Sequence, residues 1–521
     1  MSERVVLVGY GPVGARLIDG LLPAVREGRI DLTVIGAETH DVYNRVLLAE
    51  YAVGRTDRAG LDMDDRRVAE DAGVRFHLGT TVVGVDRHRR VLRLHDGIRL
   101  DYDRLVLATG ARANVPTLAG MERARRDRAS VSATPEALDL GGAPLPRGVV
   151  ALRDLADAEH VRAAVSAGQR IVVLGAGVLG MELALAAAEA GADVVVAYHS
   201  AAPMNRTLDE NGGRVLAAAA EAAGVEMAHH ARAESILVRH DDHGHAWFDG
   251  LVCADGKVLA GDLLVLSCGV AARTEVASLA GLATSAGILV DGVSRSWTDP
   301  AVFAIGDCAH VADPAGADAD GRVPGGPSGL VGPGWRQADR LAALLSSGVE
   351  TPAVAERPGV VMLKAEGIDV VAGGAVDADP FSHAPGCRGP QVTLWADPAR
   401  GAYVKLVTVD GVLTGFVAVG MPRTGAELTL LFERGSELPA NRSTLLRLDA
   451  PDAGMLATGD PFAADATICW CNGVSAGAIR EAAAAGEPTV ACVKAATRAG
   501  TGCGGCVGRI TELLAREGVP A

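Results

Sequence analysis

The chain has 521 residues, 64 acidic against 49 basic, for a net charge of −15. At roughly 150 residues per domain it holds three or four domains, and its acidic balance offers no cationic face for nucleic acid. Its 7 Phe, 5 Trp and 6 Tyr are too few for base-stacking platforms. Mean hydropathy is +0.22, yet no uncharged apolar run reaches the ~18 residues of a membrane-crossing helix. The start, Met-Ser-Glu-Arg, leads directly into an apolar run without the features of a signal peptide. A soluble, cytoplasmic protein is expected.

Residues 4–9 (Arg-Val-Val-Leu-Val-Gly) form an apolar, β-branched run closed by glycine. Helical spacing follows over 12–22, then a strand over Asp31–Ile35, which makes a βαβ unit. Its turn reads Gly9-Tyr-Gly11-Pro-Val-Gly14. In this spacing the first glycine makes the turn, the second admits a pyrophosphate, and the third lets helix and strand approach. The helix N-terminus then faces the phosphates. The acid that holds the ribose belongs about 20 residues on; Glu38, slightly late, is the candidate. Residues 121–146 carry four arginines in Met121–Ala129 and then a Ser, Ala, Gly and Pro-rich run, read as an exposed insertion or linker.

The unit recurs as strand Ile171–Leu174, the turn Gly175-Ala-Gly177-Val-Leu-Gly180, an alanine-rich helix and strand Asp193–Ala197. Two such sites in one chain suggest a flavin and a nicotinamide dinucleotide. The second strand ends Val196-Ala-Tyr198-His199 without an acid, and Arg206 follows downstream, so neither NADH nor NADPH is singled out. His229-His230 and His240–His245 read as solvated residues of a polar hairpin. Residues 355–445 alternate strand-like runs, as in Val404–Val409 and Val412–Val419, and suggest a small α+β domain. Residues 446–466, rich in Pro, Asp, Ala and Gly, read as a linker.

None of the nine cysteines precedes Cys253. Four form two close pairs, Cys469-Trp-Cys471 and Cys503-Gly-Gly-Cys506, separated by 31 residues. By count they suit zinc or an iron–sulfur cluster, although zinc ribbons more often use two C-x2-C pairs. Cys492 reads as a buried core residue; Cys253, Cys268, Cys308 and Cys387 read as isolated structural thiols.

Four further segments accompany the glycine motifs: Leu105-Val-Leu-Ala-Thr109-Gly110, Leu264–Gly269, Ala304-Ile-Gly306-Asp307-Cys308 and Leu330–Ala338. Together they resemble the FAD/NAD(P)-dependent pyridine nucleotide oxidoreductases. Tyr43-Asn-Arg45-Val-Leu-Leu, Met204-Asn-Arg-Thr-Leu-Asp209 and Leu363-Lys-Ala-Glu-Gly-Ile-Asp369 narrow this. They are similar to the flavoprotein part of assimilatory NAD(P)H nitrite reductase large subunits and to electron-transfer subunits of assimilatory nitrate reductases. The tail segments Ile468-Cys-Trp-Cys-Asn-Gly-Val-Ser and Arg498-Ala-Gly-Thr-Gly-Cys-Gly-Gly-Cys resemble the bacterioferritin-associated-ferredoxin-type [2Fe–2S] domain.

The resemblance implies an α/β fold with two Rossmann-like domains in a glutathione-reductase-like arrangement, a small α+β domain and a small helical cluster domain. An FAD domain is expected over 1–120 and 262–350, and an NAD(P) domain over 147–261. The α+β domain would span 355–445 and the cluster domain 467–521, with a helix over Ser475–Ala485. Glu38, Thr109, Gly110, Gly269, Gly306 and Asp307 are the implied dinucleotide contacts beside the two glycine turns. Arg45 would lie near the flavin and Glu182 near the nicotinamide, both in catalytic roles. Ala49 stands where the family often has serine and is given no role. Cys469, Cys471, Cys503 and Cys506 are the implied cluster ligands. The C-x4-C redox disulfide that glutathione-reductase-like relatives carry just after the first βαβ unit has no counterpart, because no cysteine precedes Cys253.

The implied activity is oxidation of NAD(P)H through FAD and a [2Fe–2S] cluster to a protein acceptor. A nitrite reductase large subunit would continue into a sirohaem and [4Fe–4S] domain, whereas this sequence ends at Ala521. The expected acceptor is therefore the molybdenum subunit of an assimilatory nitrate reductase. A nitrite reductase component, a ferredoxin or rubredoxin reductase, and a non-enzymatic module that docks on iron-storage protein or senses redox state are the alternatives.

Overall fold

The computed structural model describes residues 2–63, 66–121, 145–318, 323–353, 359–363, 365–381, 389–439, 441–446, 448–449, 462–469, 472–485, 489–502 and 504–517. Most of the expected 121–146 insertion and of the 446–466 linker lies outside these residues.

Short runs of valine and leucine build two parallel five-stranded sheets. The first runs Val302–Ala304, Arg104–Leu107, Glu3–Val8, Ile30–Gly36 and Arg75–Leu78 from edge to edge. The second runs Val225–Ala228, Val194–Ala197, Ile171–Leu174, Leu263–Leu266 and Val149–Val150. Val5, Leu7, Ile171, Val172 and Val173 are fully buried. Uninterrupted apolar runs are what a parallel sheet covered on both faces requires. Each domain carries a three-stranded antiparallel appendage inserted before its next sheet strand, Val82–Asp101 in the first and Ala233–Ala260 in the second.

After its glycine turn, the first domain continues into helix Pro12–Arg26, whose proline opens the first turn, where no N–H partner is needed. Gly20 on this helix brings it close to helix Val331–Ser347: a Cβ there would meet the Ala342 methyl at 2.6 Å. The second helix, Val178–Glu189, is apolar nearly all round and is buried against its sheet, the short helix Leu48–Ala52 and strand Val360–Leu363.

One expected boundary falls early. Residues from 262 were assigned to the first domain, but Leu263–Leu266 is an inner strand of the second sheet, hydrogen-bonded on both sides. The chain returns only after Leu266. There Val270–Ala272 pairs antiparallel with Ala111–Ala113, so the two crossover segments tie the domains together.

Residues 360–434 form a five-stranded antiparallel sheet covered by helix Pro422–Arg434, with Phe416 and Phe432 edge to face at 5.6 Å. This unit docks on the second domain. Asp209, which caps helix Glu210–Ala222, accepts from the Tyr403 hydroxyl at 2.5 Å and pairs with the buried Lys405 ammonium at 3.3 Å.

The tail forms a hairpin, Thr467–Cys469 with Val474–Ser475, and helices Ala476–Ala485, Val490–Thr497 and Val507–Arg516. Ile468, Ile479, Val493, Ile510 and Leu513 form its core. Cys492 is half-buried on a helix flank rather than in that core. Among the described residues, no helix is long and apolar enough to cross a membrane.

Candidate functional site: two dinucleotide turns, an interdomain cleft and a docked cysteine loop

Both glycine turns have the shape that a pyrophosphate needs. A Cβ on Gly9 would lie 2.1 Å from the Ala108 carbonyl oxygen, and one on Gly14 would lie 2.3 Å from the Gly9 oxygen. The same clashes recur at Gly175 with Ser267 (2.3 Å) and at Gly180 with Gly175 (2.1 Å). Gly11 and Gly177 behave differently: a Cβ at either would meet nothing within 4 Å. That open space sits at the helix N-terminus, where backbone N–H groups face an anion. The residues therefore fit two dinucleotides.

Around the first turn, Glu38 accepts from the Tyr43 hydroxyl at 2.8 Å and is ion-paired with Arg45. Burial pushes the Glu38 carboxyl up, but the Arg45 charge and the two hydrogen bonds outweigh it and hold it below its ordinary value. Burial likewise pushes the Tyr43 phenol well above its usual range. Arg45 also donates to the Arg153 carbonyl at 3.1 Å, and Arg153 donates to Asp307 at 3.0 Å. Asp307 lies in the turn Gly306–Cys308, which Gln337 holds by accepting from the Gly306 N–H at 2.7 Å. Thr109 donates to the Arg273 carbonyl at 2.8 Å, and Gly269 accepts from the Asn114 N–H at 2.9 Å. Thr109, Gly110 and Gly269 thus sit in the paired crossover segments.

Glu182 is buried on helix Val178–Glu189 and lines the same cleft as Arg45, together with Ala49, Leu152, Arg153 and the half-exposed Leu179. The structure thus brings the two expected catalytic residues together between the domains. Arg153, which bridges Arg45 and Asp307, was not anticipated. Its only signal is the capping box Asp154–Asp157 that starts the helix after it and lets Asp157 accept from the Arg153 N–H at 2.9 Å.

Of the four expected cluster ligands, Cys469 and Cys506 are buried in the tail domain; Cys471 and Cys503 lie outside the described residues. Asn472 donates to the Cys469 sulfur at 3.7 Å, and Cys506 stands at the start of helix Val507–Arg516. Two thiols in one small domain, one of them already accepting a side-chain hydrogen bond, fit the donor set of a cluster. The other thiols differ. Burial pushes Cys308 up and Cys268 up to about 11, which keeps both as inert thiols.

The cysteine loop is seated on the first domain. Asn44, next to Arg45, donates from Nδ2 to the Gly502 carbonyl and to that of Thr501 at 3.3 Å. Arg498 pairs with Asp19 at 2.6 Å. Thr501 and Gly502, just before Cys503 in the chain, thus rest on the residue next to Arg45 of the cleft.

The histidine expectation needs one correction. His240–His245 do lie on the hairpin turn, but His229 and His230 follow strand Val225–Ala228 at the carboxyl edge of the second sheet. The chain turns back there because Ala231 and His230 donate to the carbonyls of Tyr198 and Ser200.

The pyridine nucleotide-disulphide oxidoreductase family model matches residues 3–327. The chain belongs to this family. A BFD-like [2Fe–2S] binding domain matches residues 467–516. The protein is an FAD-dependent NAD(P)H oxidoreductase whose cofactors are FAD, NAD(P)H and a [2Fe–2S] cluster.

Its curated relatives include a nitrite reductase [NAD(P)H] and an assimilatory nitrate reductase electron transfer subunit, both of Bacillus subtilis. Each is 28% identical over 98% of this chain, covering 57% and 59% of the relative. A nitrite reductase large subunit of Klebsiella oxytoca is 30% identical over 99% of the chain and 49% of the relative. The chain spans about half the length of these relatives. Among solved structures, a ferredoxin reductase from Rhodopseudomonas palustris matches with a TM-score of 0.64 at 25% identity, covering 80% of this chain and 91% of that one. The putidaredoxin reductase–putidaredoxin complex shares the fold, with a TM-score of 0.68 at 22% identity, covering 88% and 99%.

Proposed function

We propose that the chain draws electrons from NAD(P)H and delivers them singly to a separate acceptor protein, the molybdenum subunit of an assimilatory nitrate reductase. The observation that carries this reading is the seating of Thr501 and Gly502 on Asn44, beside Arg45 and the interdomain cleft. Hydride entry and electron exit are then neighbours. The similarity to a nitrate reductase electron transfer subunit over nearly the whole chain supports the choice of acceptor.

Bound FAD supplies hydride acceptance and single-electron release, and a bound cluster carries one electron at a time. The chain's own residues position and shield. Gly9–Gly14 and Gly175–Gly180 would bind the two pyrophosphates. Arg153 and Gln337 hold Asp307 and its turn in place. Leu152, Leu179 and Ala49 give the cleft an apolar wall. Glu182, buried on its wall, would orient the nicotinamide amide, and Arg45 would place a positive charge beside the flavin.

A second reading is favoured by the relatives named nitrite reductase, which match over the same length. To separate the two, the FAD- and cluster-loaded chain is supplied with NADH or NADPH and assayed with nitrate and nitrite, with and without a molybdenum nitrate reductase subunit. Nitrate consumption that requires that subunit is the expected result. Nitrite consumption by the chain without it would favour the nitrite reading, and reduction of ferredoxin or rubredoxin alone would favour a free-standing reductase.

A further inference from the structure

The two dinucleotide domains can be matched atom by atom through their backbone hydrogen bonds. In the first, the N–H of Gly9 donates to Ile35 (2.8 Å), that of Thr80 to Gly36 (2.9 Å) and that of Gly79 to Glu38 (3.1 Å). In the second, Gly175 donates to Ala197 (2.8 Å), Ala231 to Tyr198 (2.8 Å) and His230 to Ser200 (3.3 Å). Ser200 therefore occupies the place of Glu38, and His230 the place of Gly79. The backbone agrees, since Gly79 has φ +67° and His230 φ +54°. A histidine held in the left-handed region, where the sister domain uses glycine, is strained.

This corner of the second domain gathers cationic and hydroxyl groups. The His229 and His230 rings are in contact, with centroids 5.1 Å apart, and both residues are exposed. Met204 donates to the Ala176 carbonyl within the glycine turn at 2.8 Å, which brings the exposed Arg206 close behind that turn. The carboxylate whose charge reaches Tyr198 is Glu221. It lies in the last turn of helix Glu210–Ala222, which leads into the amino end of strand Val225–Ala228.

We propose that the second site selects the coenzyme carrying a 2′-phosphate, NADPH, and that Ser200, His230 and Arg206 make the selection. This rests on the reading of that site as the nicotinamide coenzyme site. A carboxylate at the Glu38 position accepts from a ribose 2′-hydroxyl and repels a 2′-phosphate. The Ser200 hydroxyl, which donates to the Ala202 carbonyl at 2.8 Å, can turn to donate to a phosphate instead, the imidazole offers a further donor, and the guanidinium adds donors and a positive charge.

The test uses the FAD-loaded full chain in anaerobic flavin reduction. The expected kcat/KM for NADPH exceeds that for NADH by about tenfold or more. Ser200→Glu combined with His230→Gly, which installs the first domain's pair, reverses the preference at unchanged FAD content. Arg206→Ala raises the KM for NADPH and leaves that for NADH unaltered. Equal use of the two coenzymes, a preference for NADH, or a ratio insensitive to these variants overturns the proposal. A second readout is calorimetric binding of 2′,5′-ADP against 5′-AMP. Tighter binding of 2′,5′-ADP, lost in the double variant, upholds the site; equal binding overturns it. If neither coenzyme reduces the flavin, the functional reading fails, and the two adenosine nucleotides still decide the proposal by themselves.

Discussion

The two dinucleotide domains share a frame and differ in what they hang on it. Their glycine turns match clash for clash, with Gly9 against Ala108 and Gly175 against Ser267. Beyond the turn they diverge. The first places Glu38, Tyr43 and Arg45 beyond its second strand; the second places Ser200 at the position matching Glu38, with His229 and His230 beside it. The backbone clashes that shape the two turns are thus the same, whereas the side chains just past the strand ends differ in charge and hydrogen-bonding groups. The partners of the two domains differ as well, since the first carries the cysteine loop and the second carries the antiparallel unit.

The largest expected effect tests the shared frame. Gly9→Ala forces a Cβ into the Ala108 carbonyl at φ +118°, which should cost about 3 kcal/mol or more and abolish FAD retention. Gly177→Ala, where the Cβ meets open space, should leave the melting temperature within the effect of about 0.5 kcal/mol. It should nevertheless raise the coenzyme KM while FAD content stays constant. Loss of FAD in Gly177→Ala would break the separation of the two sites.

The partner of the second domain gives a comparable stability effect. Asp209→Ala leaves the Lys405 ammonium buried without its carboxylate, an effect of about 3 kcal/mol in thermal unfolding. Asp209→Leu with Lys405→Met should recover most of it. An unaltered melting curve in Asp209→Ala would show that the two units do not depend on this contact.

A smaller effect sharpens the ribose-corner contrast. Glu38 titrates below its ordinary value in the fold, so its stabilisation is present above the unfolded carboxyl pKa, about 4.3, and is lost as pH falls through the folded value. Glu38→Gln should therefore lower the melting temperature at neutral pH, and the gap should close in acid. Ser200→Ala, at the matching position, should show no such pH-dependent gap.

Smallest is the expected stability effect of Asn44→Ala, which removes the contacts to Thr501 and Gly502. It should cost about 1 kcal/mol of docking. It should slow cluster reduction severalfold in stopped flow and leave flavin reduction by coenzyme unchanged. Equal slowing of both would show that Asn44 serves the flavin site rather than the cysteine loop.

Much of this molecule is legible in sequence because local physics dictates it. The runs Val5–Val8 and Ile171–Leu174 can only be buried parallel strands, and the glycine turns after them are demanded by backbone contacts a few residues away. Arg45 near the flavin and Glu182 near the nicotinamide are expected only through family resemblance, because they lie 137 residues apart, and their shared cleft emerges in the fold. Contacts that depend on how units dock were not legible. Arg153 bridging Arg45 to Asp307, Asn44 under Gly502, and the Asp209, Tyr403 and Lys405 cluster join distant segments and leave no periodic trace. Leu263–Leu266 was assigned to the wrong sheet because an apolar strand does not announce its neighbours. His229 and His230 were read as hairpin residues because two adjacent histidines carry no sign of a strand end.

The central claim is that electrons entering at the paired dinucleotide sites leave through the docked cysteine domain. Its most direct test is an anaerobic titration of the holoprotein with NADPH, following flavin absorbance and cluster EPR together, in the native chain and in Cys506→Ser. The account predicts that both centres are reduced in the native chain. In the variant the flavin is still bleached, but the cluster signal and the reduction of an added protein acceptor are lost. Full acceptor reduction by a Cys506→Ser protein that holds no cluster would contradict it.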